Sequence, residues 1–243
     1  MNTKAIQSLL MMGIITTFGL LTITESPAES KTKFHYDPDG KISKTFPLLM
    51  TKSQPKGVIS DDLKPYQKEL ENDNNTTEIK PDDAEAYYNR GNAYSELQEF
   101  QKAIDDYTKA IELKPDYVEA YNNRGIAYTE LQEYEKAVND FNKAIEFQSD
   151  NAAAYYNRGN IYYDLKEYQK ALDDYTKAIE FQSDFALAYG NRGITYYDLK
   201  EYQKAFADTQ KAADLFFEQK NHEGYQKSLR LLQMIQQELQ NNP

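Results

Sequence analysis

Between residues 84 and 219 the apolar positions of this chain recur as pairs of helical stripes. In the first pair Tyr87, Gly91 and Tyr94 share one face, Leu97-Gln98-Glu99 interrupts it, and Ala103, Tyr107, Ala110 and Ile111 line a second stripe. Each pair predicts a helix hairpin that cannot bury its apolar face alone. The pattern is then written again. Tyr87-Tyr88-Asn89-Arg90-Gly91 returns as Tyr121-Asn122-Asn123-Arg124-Gly125, Tyr155-Tyr156-Asn157-Arg158-Gly159 and Tyr189-Gly190-Asn191-Arg192-Gly193, a constant step of 34 residues. Repetition at that period predicts stacked hairpins sharing one continuous core. Gly91 and Ala103 are small enough to let the two helices of a unit approach closely. Asp82 with Glu85 and Asp116 with Glu119 have the spacing of a capping box and predict helix starts.

The array is flanked by different material. Tyr225, Leu229, Leu232, Ile235 and Leu239 recur at helical spacing in residues 222–240 without a hairpin partner, which predicts a capping helix; a helix exposed for dimerisation is the alternative. On the other side, Tyr66-Gln67-Lys68-Glu69-Leu70 lies one period before Phe100-Gln101-Lys102-Ala103-Ile104. There Asp73-Asn74-Asn75 replaces Tyr107-Thr108-Lys109, so residues 63–80 read as a degenerate half repeat. Residues 29–62 are polar, rich in lysine and broken by Pro38, Pro47 and Pro55, the composition of a linker. Asp37-Pro38-Asp39-Gly40 within them is a turn rather than a calcium loop, because His35 and Phe46 hold the places of its first and last ligands. Leu9 to Ile23 is apolar but short of the roughly 20 residues that span a bilayer. With Ser26-Pro27-Ala28 behind it, it suits a secretory signal peptide cut after Ala28, or else a retained membrane anchor. The expected product is exported to a periplasm or the outside, or is anchored facing away from the cytoplasm.

The repeated positions resemble the tetratricopeptide repeat family. Tyr87, Gly91, Tyr94, Ala103, Tyr107, Ala110 and Pro115 match its signature in the first unit. The second matches with Tyr121, Gly125, Tyr128, Ala137, Phe141 and Ala144, and the third with Tyr155, Gly159, Tyr162, Ala171, Tyr175 and Ala178. The fourth keeps Tyr189, Gly193, Tyr196, Ala205 and Ala212 but has Thr209 in place of the aromatic. The resemblance implies an all-α, right-handed α-solenoid of four hairpin units plus the C-terminal capping helix. Its units run 84–117, 118–151, 152–185 and 186–219, after a signal or anchor over 1–28 and a linker with the half repeat over 29–83, and before a cap over 220–243. It implies a concave groove lined by first helices, and a non-catalytic scaffold for a protein or peptide partner. The carboxylate clamp of chaperone-type members is not matched, because Tyr88, Asn122, Ala153 and Leu187 stand where the basic residues would be.

Charge and residue chemistry narrow the reading. The net charge of −11 disfavours nucleic acid as a partner, and the acid is concentrated in the array, behind a lysine-rich segment. With no cysteine and two histidines, no nucleophile–base motif is written, and neither a metal site nor a cofactor is called for. Arg90, Arg124, Arg158 and Arg192 stand where the family usually has Leu, and Asp106, Asp140, Asp174 and Asp208 follow each by sixteen residues. A half-buried guanidinium needs an acceptor, so each Arg is expected to pair with its Asp across the hairpin. Asn89, Asn123, Asn157 and Asn191 precede those arginines, and the family frame places them on the groove. An amide donates and accepts, so a row of them suits an extended peptide backbone whatever its side chains. Tyr88, Asn92, Asn122, Tyr156, Asn160 and Tyr163 are further peptide-binding candidates on the same face, with Ile126, Ile194 and Tyr197 beside them. The rival reading, from a different class, is a self-assembling component of an envelope-associated complex with the cap helix as its interface.

Overall fold

The computed structural model describes residues 82–241, so the expected signal or anchor, the linker and the half repeat over 63–80 lie outside the described residues. The described residues are all helical: α1 Ala84–Glu96, α2 Phe100–Leu113, α3 Val118–Glu130, α4 Tyr134–Phe147, α5 Ala152–Asp164, α6 Tyr168–Phe181, α7 Ala186–Asp198, α8 Tyr202–Glu218 and α9 His222–Asn241. Consecutive helices pack on one another down the chain, which makes an α-solenoid of hairpins. Successive first helices (α1, α3, α5, α7) also touch, and second helices make no comparable contact. A row whose inner members are closer together curves around them. The first helices therefore line the concave side.

Each hairpin turn is set by a single left-handed residue. Gln98, Gln132, Lys166 and Lys200 have φ between 60° and 62°. In the first turn, Gln98 N–H donates to Ser95 O and Glu99 N–H to Tyr94 O, closing the carbonyls at the end of α1. The signature glycines are a matter of space rather than of φ. A Cβ on Gly91 would lie 2.7 Å from the Tyr107 ring, and one on Gly125 would lie 2.8 Å from Phe141. The backbone of the first helix thus rests on the aromatic ring of the second. Ala103, Tyr107 and Ala110, with their equivalents Ala137, Phe141, Ala144, Ala171, Tyr175 and Ala178, are essentially fully buried around that contact.

The expected capping boxes are corrected. Asp83, not Asp82, caps α1, its carboxylate accepting from Ala86 N–H at 3.0 Å. Tyr117 holds that place in α3 and makes no side-chain cap. Its ring packs 4.9 Å from that of Tyr88 instead, so the residue serves unit packing where its neighbour Asp116 falls in the turn.

The last helix, α9, lies where a fifth first helix would. Leu231 and Ile235 join Ile194 and Tyr197 in one buried cluster. Its outward positions are polar and largely uncharged: Gln226, Gln233, Gln236, Gln237 and Gln240 are exposed. Helix α8 runs 17 residues rather than the 14 of the other second helices, and Phe216 on that extension packs under Gly224. Among the described residues no helix is long and apolar enough to cross a membrane.

Candidate peptide-binding face

The arginines are part of the frame. Arg90, Arg124, Arg158 and Arg192 each make a two-pronged contact with Asp106, Asp140, Asp174 and Asp208, at 2.6–2.9 Å. The sixteen-residue spacing predicts this pairing, and the planar fork of Arg matches a carboxylate in two places. Each guanidinium also lies over the ring of the tyrosine three residues earlier, at 5.4–5.6 Å to the centroid. The remaining nitrogen reaches back one unit: Arg124 Nη1 donates to Thr108, Arg158 to Asn142 and Arg192 to Thr176. One side chain thus ties a first helix to its own second helix and to that of the preceding unit. The carboxylates are buried, and the side chains of Arg124, Arg158 and Arg192 are 15–18% exposed. Those three arginines are spent within the frame, and the Arg90 side chain is 25% exposed.

The asparagines do not form a ladder of four equal rungs. Asn123 Nδ2 donates to the Tyr88 hydroxyl at 3.1 Å and to Asn92 Oδ1 at 2.8 Å, and Tyr107 donates its hydroxyl to the same Asn92 oxygen. One pair of units later the arrangement repeats. Asn191 Nδ2 donates to Tyr156 and to Asn160 Oδ1, and Tyr175 donates to that Asn160 oxygen. These are locks between a unit and the next, each closed by four side chains. Asn191, Tyr156 and Tyr163 are corrections to the candidate set, as are Ile194 and Tyr197 beside them, which are buried under Leu231 and Ile235. Asn191 is fully buried, Tyr156 is 4% and Tyr163 8% exposed, because α9 and α7 are packed against that end of the row. Burial raises the Tyr156 phenol to a pKa of about 12 despite its bonds to Asn160 and Asn191. Tyr163 donates its hydroxyl to Asp198 across the third junction.

What remains open is more sparsely placed. Asn89 is exposed and Asn157 half-buried, and among the described residues neither amide has a hydrogen-bond partner. Tyr88, Asn92, Asn122 and Asn160 are half-buried on the same face, and Ile126 is 37% exposed between them. The division follows the residues that flank each Asn. First and third units offer Tyr88 with Asn92 and Tyr156 with Asn160, whereas the second and fourth offer Asn122 with Ile126 and Gly190 with Ile194. Only the former pairs hold the next unit's amide. The alternation stands in the sequence as a 68-residue period laid over the 34-residue one, and matching every unit to one consensus conceals it.

Sequence and fold comparisons agree with this architecture. Tetratricopeptide repeat models match residues 84–117 with 152–185 and, separately, residues 106–139, and a further repeat model of the same kind matches residues 125–166. Among solved structures, the chain is similar to a crystal structure of MamA at 26% identity and a TM-score of 0.54, over 66% of this chain and 90% of that one. It is similar to MamA residues 41–end from Desulfovibrio magneticus RS-1 at 19% identity and a TM-score of 0.53, over 67% and 99%, a likeness of fold alone. No curated protein matches the sequence.

Proposed function

We propose that this chain, a member of the tetratricopeptide repeat family over residues 84–185, is a non-catalytic scaffold that holds an extended segment of a partner protein against its first-helix face. The observation that carries the reading is the coexistence of a rigidly braced frame with open amides on it. The Arg–Asp pairs and the Asn–Tyr locks fix the first helices before any ligand arrives. A preorganised surface loses little entropy on binding. Asn89 and Asn157 meanwhile keep both donor and acceptor free for a peptide group, and Tyr88 offers half-buried aromatic contact with few rotors to freeze. The burial of Leu231 and Ile235 of α9 among Ile194 and Tyr197 supports this reading over self-assembly through the cap.

Export belongs to the same proposal, since Leu9–Ile23 and Ser26-Pro27-Ala28 have the form of a secretory signal or anchor. The test is an affinity capture from the exported fraction, comparing the wild-type chain with an Asn89→Ala/Asn157→Ala double variant of unchanged helical circular dichroism. Loss of a defined set of partners by the variant is the expected result. Identical capture by both chains rules out a role for the open amides.

A further inference from the structure

The three junctions between units are not equivalent. The first is closed by the Tyr88–Asn123–Asn92–Tyr107 lock. The third is closed by the Tyr156–Asn191–Asn160–Tyr175 lock and by the Tyr163–Asp198 bond. At the second junction the donor amide and the carboxylate are kept, as Asn157 and Asp164, but the residues that would pair with them are replaced and the bonds are not made. By the same 34-residue step, Asn157 faces Asn122 and Ile126, and Phe141 stands in the place of Tyr107 and Tyr175 without a hydroxyl. Thr129 holds the place of Tyr163, and its hydroxyl is turned back to Gly125 O at 2.9 Å.

The consequences are visible on the same few residues. Asn157 has no hydrogen bond among the described residues, and Asn122 Oδ1 is buried with no partner, a state that native proteins rarely leave unanswered. With no bond to break, the half-buried Asn122 side chain is free to turn toward a ligand N–H. Ile126 is exposed beside them. Glu130 and Asp164 are exposed and in no ion pair among the described residues, whereas Asp198, one unit after Asp164, is taken by Tyr163. Both free carboxylates lie close enough to Tyr134 to help its burial hold that phenol above its usual pKa, which puts them together at this junction.

Resting on the scaffold reading above, we infer that the second junction is the anchoring site of the face, and that it takes an extended peptide segment carrying a basic residue. Asn157 and Asn122 pair with the peptide backbone, Ile126 covers an apolar side chain, and Glu130 with Asp164 faces the basic one. The chemistry follows from what is left unpaired: acceptor oxygens, one amide and negative charge.

A library of random peptides displayed on phage, selected on the full chain, supplies the probe, and selected sequences are titrated by calorimetry. Selected peptides are expected to be enriched in Lys or Arg. Asn157→Ala and Asp164→Asn should each weaken binding by about tenfold, the order expected for one lost hydrogen bond or charge contact, while Gln226→Ala, on the exposed side of α9, stays near wild type. The decisive variant is Asn122→Tyr/Ile126→Asn/Phe141→Tyr, which writes the residues of the first junction into the second. It should tie up Asn157, raise the melting temperature and abolish binding. Unchanged binding by that variant or by Asn157→Ala, or selected peptides without basic enrichment, overturns the anchoring inference while leaving a peptide-binding face elsewhere. Failure to select any peptide overturns the scaffold reading itself.

Discussion

At the scale of single residues, identical letters in identical frames do different work here. Asn123 and Asn157 occupy the same place in consecutive units, yet one donates twice within the molecule and the other not at all. Removing Asn123 leaves Asn92 and Tyr88 without their inter-unit donor, and a lost buried hydrogen-bonding partner costs about 1–3 kcal/mol. Asn123→Ala should therefore lower the urea midpoint clearly, and Asn157→Ala should leave it almost unmoved. Equal shifts in equilibrium denaturation would show that the lock has no energetic content. The arginines make the complementary point. A charge in a family position that is usually apolar is tolerated because an acceptor stands sixteen residues on and a tyrosine ring three residues back.

At the scale of elements, α9 is what allows the row to stop. It covers Ile194 and Tyr197 with Leu231 and Ile235, and presents mainly glutamine to water. Truncation of residues 222–243 removes that cover and leaves the buried face of α7 exposed. The expected outcome is a lower melting temperature with rising light scattering at increasing concentration. A truncated chain that melts like the full one would mean that α9 is an ornament on a self-sufficient array. Helix α8 shows how the ending is fitted. Thr209 lies beneath Gly193 where the other units have an aromatic ring, and the lengthened helix adds Phe216, seated beneath Gly224 of α9.

At the scale of the whole molecule, five tyrosines are buried among the described residues (Tyr107, Tyr156, Tyr163, Tyr175 and Tyr197), and they set an alkaline limit on stability. Burial raises the phenols of Tyr107, Tyr163 and Tyr175, and brings Tyr156 to about 12 against an ordinary value of 10.0. The folded state holds these protons more tightly than the unfolded chain does. Their contribution is full below pH 10 and is lost as pH rises through the folded values. For Tyr156 alone the difference amounts to about 3 kcal/mol at 1.36 kcal/mol per unit. Melting temperature should thus fall steeply above pH 10, and tyrosinate absorbance near 295 nm should rise together with the loss of helical signal. Ionisation of all tyrosines while the helices persist would contradict the burial.

The hairpins, their 34-residue step, the packing role of the glycines and the Arg–Asp pairs are all legible in the sequence. They rest on spacing along one helix or between two helices joined by a fixed turn, and such distances are set by chain geometry. The direction in which each asparagine spends its amide is not set in that way. It depends on which residue of the preceding unit lies opposite, a contact between positions 31 and 35 residues apart that exists only once the units are stacked. The same holds for Asn191, which differs from Asn123 in burial because α9 is laid along its unit. Sequence alone determined a braced array of four hairpins with amides on one face. Tertiary structure decided that two of those amides are locks and that the middle junction is the one left open, because a side chain's hydrogen bonds are allotted by its neighbours in space.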